Sequence, residues 1–199
     1  MSTPAFIYDA IRTPRGKGKK DGSLHEVKPV DLLAGLLVSL AERYDLDTSQ
    51  VDDLAIGCCM PTGQQGSNIG KTAAMVAGWD ETVPAMQLDR FCASALDTAS
   101  LAAARVMTGW ENFIVAGGIE CMSHTPIGSN GGAWADDPAT AMKTGFVPQG
   151  IGADLIATIE GFSRDDVDNF AVNSQKKAAA AQEAGCFDRS VIPVTDDNV

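Results

Sequence analysis

Apolar residues along this chain fall into two rhythms. Ala5 to Ala10, Leu54 to Met60, Ala85 to Leu88 and Asn112 to Ala116 are short apolar runs bounded by turn-forming residues, the pattern of β-strands. Between them the period lengthens. Leu33, Leu36, Leu37, Leu40 and Tyr44 recur at helical spacing behind the start signals Pro29 and Asp31. Asn68 to Ala77 reads as a second helix closed by Gly78, and Cys92 to Thr108 as a third ended by Gly109. The many Ala and Ser side chains of the third admit close approach by other backbones, which places it in the middle of a molecule. Asn112 to Ala116 reads as a buried strand. Strands and helices therefore alternate up to about residue 118, and that order predicts an α/β layer architecture with a largely parallel sheet.

Two stretches depart from this rhythm. Arg12 to Gly22 is rich in Gly, Lys and Arg and reads as a loop. From Thr125 to Pro148 the composition shifts to Gly, Pro, Asp and Asn, a length that predicts a functional or disordered loop. Two helical patterns follow, Ile151 to Glu160 and Ser163 to Ala184. The second is opened by Ser163, with Asp165 and Asp166 in its first turn where the helix dipole favours anions. Val191 to Val194 is a last extended run before a polar tail.

Charge removes some partners. With 26 acidic against 15 basic residues the formal charge is −11, a field that repels nucleic acid and anionic membrane surfaces. Met1 to Ala5 lacks a positive region leading into an apolar run, and no window approaches the roughly 20 apolar residues of a membrane span. A soluble, untargeted, cytoplasmic protein is expected. The five cysteines, at 58, 59, 92, 121 and 186, form no Cys-x-x-Cys pair and have only His25 and His124 for company. Neither a disulfide framework nor a metal site is expected.

Cys92 is the candidate for chemistry. It follows a short strand and the polar turn Asp89-Arg90-Phe91, at the beginning of the Ala-rich helix. Unpaired N–H groups and the positive end of the dipole there favour a thiolate, the nucleophilic form. From position alone a small buried apolar cysteine fits equally well.

The wording of the segment separates the two. Leu88-Asp89-Arg90-Phe91-Cys92-Ala93-Ser94-Ala95-Leu96 closely resembles the nucleophile motif of the thiolase family. Ile11-Arg12-Thr13-Pro14-Arg15-Gly16 is similar to that family's opening signature, and Val115-Ala116-Gly117-Gly118-Ile119-Glu120-Cys121-Met122-Ser123 to its Ala-Gly-Gly-x-Glu-x-Met-Ser strand and turn. Gly152-Ala153-Asp154, Ser163-Arg164, Asp168 to Ala171, Ser174-Gln175 and Ile192-Pro193-Val194 resemble its loop-domain segments. The resemblance runs in order over nearly the whole chain. It implies a thiolase-like layered α/β/α fold, with residues 1–118 as the first half of a pseudo-duplicated fold and residues 119–199 as the start of the loop domain.

The resemblance also implies an activity: acyl transfer through a Cys92 thioester, in thiolysis of a 3-ketoacyl-CoA in fatty-acid β-oxidation or in the reverse Claisen condensation. Acyl-CoA and coenzyme A are then substrates, with no tightly bound cofactor and no metal. The family's Gly-His-Pro and Cys-x-Gly-Gly-Gly segments belong to its second half, and neither pattern occurs in residues 1–199. Proton transfer worth typically about 100- to 10,000-fold would be missing. The expectation is little turnover by this chain alone, and pairing with a C-terminal half or second subunit in a homo- or hetero-oligomer. Asp89 stands where the family commonly has Asn; a carboxylate there opposes the Cys92 thiolate and the neighbouring Arg90 favours it, and the sequence alone does not decide which lies nearer the sulfur.

Alternative functions remain in view. A non-catalytic thiolase-like subunit would keep the fold and serve as an interaction partner. A ketoacyl synthase relative is disfavoured by the Arg12-Thr13-Pro14 and Glu120-Cys121-Met122-Ser123 segments. Gly66-Ser67-Asn68-Ile69-Gly70-Lys71-Thr72 is one residue short of a phosphate loop, so Lys71 reads as a solvated helix residue. The basic group Arg12, Arg15, Lys17, Lys19 and Lys20 reads as a solvated loop, with the phosphates of coenzyme A as the functional alternative. Cys58, Cys59 and Cys186 read as structural thiols, His124 as a loop residue, and Cys121 as a residue near the turn with no catalytic role.

Overall fold

The computed structural model describes residues 4–195. Residues 4–130 with 190–195 form one compact unit, and Gly131–Arg189 a second.

In the first unit, helix α1 (Pro29–Tyr44) starts on a proline at its first position and stops where Asp45 turns left-handed. Its Leu32, Leu33 and Leu37 are buried, as the helical spacing predicts. Strand β1 (Asp53–Gly57) follows, buried at every position. Helix α2 (Ile69–Val76) is capped by Asn68, whose side chain accepts from Lys71 N–H. Then come β2 (Ala85–Leu88), α3 (Ser94–Thr108) and β3 (Ile114–Gly118). The three strands make a parallel sheet in the order β2-β1-β3.

Two glycines show how the layers stack. A Cβ on Gly70 of α2 would lie 2.8 Å from Ile56 Cγ1, so that helix rests on the face carrying Leu54 and Ile56. A Cβ on Gly57 would lie 2.3 Å from the Ser94 carbonyl carbon and 2.4 Å from Ala95 N, so the start of α3 rests on the opposite face. Crossover β1-α2-β2 moves one way across the sheet and β2-α3-β3 the other. Two right-handed crossovers of opposite direction put their helices on opposite faces. The result is the α/β/α layering expected from the alternating elements. Leu33, Leu37, Leu54, Ile56, Ile69, Ala73, Trp79 and Val83 form the core on the α1–α2 side.

On the other side α3 is tied by polar groups. Buried Thr98 donates to the Ala95 carbonyl at 2.9 Å within α3 and stands 3.0 Å from the Gly117 carbonyl of β3. At the far end Arg105 meets Asp53 at 2.5 Å and Glu111 at 3.2 Å, and its guanidinium lies over Trp110.

Some expectations fail. Ala5 to Ala10 joins no ladder; among the described residues an isolated bridge pairs Arg12 with Val191 instead. Phe6, Ile7 and Tyr8 point outward at 69%, 90% and 83% exposure, and the segment is held by charge, through Asp9 to Arg43 at 2.7 Å and Tyr44 at 2.9 Å. β3 is half-buried rather than buried, and α3 buries only Ser94 and Thr98, because its outer face, with Leu96 and Met107, has no covering layer among the described residues.

The second unit holds four helices. Two of them, α4 (Ala133–Asp136) and α5 (Pro138–Thr144), occupy the stretch read as a loop. Asp137 caps α5 by accepting from Thr140 N–H, with Pro138 at the first helical position, a start signal hidden by the surrounding turn residues. α6 (Gln149–Glu160) and α7 (Arg164–Glu183) stand where the sequence places them, and Ser163 and Asp166 close a reciprocal capping box. No residue of Gly131–Arg189 is buried.

Candidate active site

Three parallel strands bring three chain segments to one edge. Cys58 and Cys59 leave β1, Asp89 to Cys92 leave β2, and Ile119 to Cys121 leave β3. Open α/β sheets bind ligands outside the carboxyl ends of their strands, where the strand order reverses. Here the reversal falls at β1, with β2 on one side and β3 on the other.

Cys92 occupies a turn two residues ahead of α3. Asp89 Oδ1 accepts from Phe91 N–H at 2.8 Å, and the Ser94 hydroxyl accepts from Arg90 N–H at 2.8 Å while donating to the Phe91 carbonyl at 2.6 Å. These bonds hold Phe91 at a φ of +50°, left-handed for a residue with a bulky side chain. Such a conformation costs about 1–3 kcal/mol and is retained where surrounding structure enforces it, often at active sites. The thiol that follows is exposed, so the small buried cysteine considered for this position is excluded. The helix begins behind it on Ala93, which supplies no side-chain cap. Arg90, the cation weighed against Asp89, is paired instead with Asp97 at 2.7 Å, one turn into α3.

The segments after β1 and β3 carry a hydrogen-bonded clamp between buried Gln65 and exposed Glu120. Gln65, wholly buried, donates to Glu120 Oε1 at 2.7 Å and to the Met60 carbonyl at 3.0 Å, and accepts from Cys121 N–H at 2.5 Å. Glu120 Oε2 accepts from Cys59 N–H at 2.8 Å and from Met60 N–H at 3.3 Å. The segments after β1 and β3 are thus locked together. Burial, and then the charge of Glu120, push the Cys58 thiol up to about 11, as befits a structural thiol. Cys59 is raised as well, first by burial and then by Glu120, Asp89 and the adjacent Cys92, with whose thiol it interacts. Sequence reasoning grouped Cys59 with the structural thiols because no base or helix start stands near it in the chain. Only the register of β1 against β2, Gly57 opposite Leu88, reveals its neighbour.

The other candidates fall elsewhere. His25 and His124 face each other with ring centroids 4.9 Å apart; His124 Nδ1 meets Gln64 Oε1, and its Nε2 the His25 carbonyl. Lys71 is not a solvated cation, since its Nζ donates to the Glu81 and Val83 carbonyls at 2.9 and 2.6 Å and pins the loop before β2. In the basic loop Lys17 pairs with Asp21 at 2.7 Å in an exposed contact. A cavity of about 290 Å³ lies between this loop, α1 and the segment after β3, lined by Arg15, Leu32, Leu36 and Glu120 among others. Cys121 is buried on the clamp, and Cys186 is exposed in the second unit. Among the described residues no cluster of three or more metal-ligating side chains occurs, and no helix is long and apolar enough to cross a membrane.

The α/β/α sandwich thus places an exposed thiol at a helix start on the carboxyl edge of its sheet, behind a strained turn, a setting suited to a nucleophile. The chain belongs to the thiolase family: residues 5–198 match the family profile described as thiolase, N-terminal domain. It is 35% identical over 208 residues to a beta-ketoadipyl-CoA thiolase of Acinetobacter baylyi, covering 96% of this chain and 51% of that protein. Against a 3-ketoacyl-CoA thiolase of Bacillus subtilis the identity is 38% over 192 residues, covering 96% and 48%. A steroid 3-ketoacyl-CoA thiolase of Mycobacterium tuberculosis is 33% identical over 209 residues, covering 100% and 51%. The chain thus spans about half the length of the curated relatives it matches.

Proposed function

We propose that this chain carries the nucleophile of an acyl-CoA acyltransferase, with Cys92 forming the acyl thioester. In thiolysis the Cys92 thiolate adds to the 3-keto carbonyl of a 3-ketoacyl-CoA. The bond between C2 and C3 breaks, the departing acetyl-CoA carbanion takes a proton, and the shortened acyl group remains on sulfur. The thiolate of free coenzyme A then attacks that thioester, releasing a shorter acyl-CoA and the Cys92 thiolate. The reverse sequence is a Claisen condensation. A covalent intermediate divides either reaction into two easier steps.

The observation that carries this reading is the exposed Cys92 thiol, held behind left-handed Phe91 at the carboxyl edge of the sheet, on an uncapped helix start. The names of the relatives support 3-ketoacyl-CoA substrates, and we read the chemistry as β-oxidation-type thiolysis in the cytoplasm. We read residues 1–118 as the first α/β half and residues 119–199 as the start of the loop domain. Both ring nitrogens of His124 are engaged away from Cys92, and the chain contains no Gly-His-Pro or Cys-x-Gly-Gly-Gly segment. A C-terminal thiolase half, in the same or another polypeptide, supplies the acid-base groups, and the assembly is an oligomer.

The test is acylation. The chain is incubated with acetoacetyl-CoA, with and without a C-terminal thiolase half, and digested for mass spectrometry. An acetyl group on the Cys92 peptide, absent from Cys92→Ala, is the expected result. If no adduct forms even with the second half present, the nucleophile reading fails. A second reading is a non-catalytic thiolase-like subunit, in which Cys92 reacts with iodoacetamide no faster than a free peptide thiol.

A further inference from the structure

Cys59 has no part in that chemistry, yet it stands beside Cys92. The ladder between β1 and β2 runs in register to Gly57 opposite Leu88 and is extended by Cys58 N–H donating to the Leu88 carbonyl at 2.9 Å. Beyond this point the chain after β2 doubles back: Ala93 N–H returns to the Arg90 carbonyl at 3.2 Å, and Arg90 and Cys92 form a bridge. Continued two positions past Gly57 and Leu88, the register sets Cys59 opposite the turn at Arg90, to which Cys92 is bridged, so both cysteines stand at one strand end; the raised pKa of Cys59, to which Cys92 contributes, agrees with this placement. The Cys59 backbone is fixed by Glu120 at 2.8 Å. Cys92 is exposed and Cys59 half-buried, while Cys58 and Cys121 are buried and Cys186 belongs to the other unit. Access and adjacency together select one pair out of five cysteines.

We infer that Cys59 is a resolving thiol for Cys92, so that this edge of the sheet takes a reversible intramolecular disulfide whose oxidant is a low-molecular-weight disulfide. The Cys92 thiolate attacks one sulfur of the oxidant RSSR, the RS–SR bond breaks, and Cys92–S–S–R forms as one thiolate leaves and is protonated. The Cys59 thiol then gives up its proton and attacks the Cys92 sulfur, expelling the second RS group as thiol. In balance, two protein thiols and RSSR give one protein disulfide and two RSH. The exposed thiol reacts first and the shielded one resolves, an order set by access and by the negative charges of Glu120 and Asp89 around Cys59. A capped Cys92 is also protected from irreversible oxidation to the sulfinic state. That consequence for acyl transfer rests on the reading of Cys92 as nucleophile; the disulfide itself does not.

The experiment treats the full chain with oxidised glutathione, digests it with trypsin without reduction, and reads the cross-links by mass spectrometry. The expected product joins the peptide holding Cys58 and Cys59 to the one holding Cys92, and dithiothreitol removes it. Cys58→Ser keeps this cross-link, whereas Cys59→Ser loses it and halts at glutathione on Cys92. The inference is overturned if the cross-link survives in Cys59→Ser, or if the unaltered chain stops at the mixed disulfide. Acetylation of reduced Cys59→Ser by acetoacetyl-CoA in the presence of a C-terminal half separates the two ideas. If the disulfide forms but acetylation fails in both proteins, the catalytic reading falls and the resolving thiol stands.

Discussion

Neighbouring cysteines at one sheet edge acquire different characters from their surroundings. Cys58 and Cys59 are adjacent in the chain, but the first is buried beneath Gln65 and raised to about 11 while the second stands beside Cys92. A thiol raised above its unfolded value of about 8.5 stabilises the fold fully below that pH, and the contribution is lost as pH climbs toward the folded value. The urea midpoint of the native protein is therefore expected to fall more steeply between pH 8.5 and 11 than that of Cys58→Ala. Parallel curves would show that Cys58 does not titrate with unfolding. The same burial predicts that Cys58 is alkylated more slowly than Cys92.

Among elements, the decisive contact is the start of α3 on the end of β1. Gly57 has no side chain, and backbone atoms of Ser94 and Ala95 occupy the space where one would be. Gly57→Ala must push α3 away from the sheet, since neither partner is a flexible side-chain tip. Overpacking of this kind costs about 1–3 kcal/mol, occasionally more. Because it shifts the turn that carries Cys92, acetylation of Cys92 is expected to fall together with the denaturation midpoint. Ala74→Gly, in α2 on the other face, is the control: it lowers stability while leaving the turn in place. Equal loss of acetylation in both variants would argue that the contact does not position the thiol.

For the whole chain, burial is unevenly distributed. The first unit has a contiguous core, whereas Gly131–Arg189 buries nothing and leaves Ile151, Leu155, Ile156, Ile159 and Phe162 exposed. Outward-facing Phe6, Ile7, Tyr8, Leu96 and Met107 add to the apolar surface of the first unit. Exposed apolar area on this scale marks an interface or an aggregation liability. Sedimentation velocity on the isolated chain is expected to show concentration-dependent association, reduced by Leu155→Asp and Ile159→Asp together. A monodisperse monomer that binds no hydrophobic dye would contradict this.

Much of this was legible along the chain. Pro29 and Asp31 before α1, Gly109 after α3 and Ser163 before α7 mark helix ends through bonds made within one turn, so local order was enough to place them. The wording around Cys92, Arg12 and Glu120 likewise pointed to the thiolase family, which the profile match establishes. Sequence also misread some segments. Phe6-Ile7-Tyr8 had the composition of a strand but, among the described residues, no partner strand to complete its hydrogen bonds, and Asp137-Pro138 opened a helix inside an apparent loop. Pairings across many residues were beyond it: Cys59 with Cys92, Gln65 with Glu120, Lys71 with the carbonyls before β2. The sequence by itself determined most of the helices and the three paired strands, and the place of Cys92 at the start of α3, because these depend on bonds and patterns within a few residues. The tertiary structure decided which side chains meet, because strand register and the choice of sheet face depend on packing that no local pattern contains.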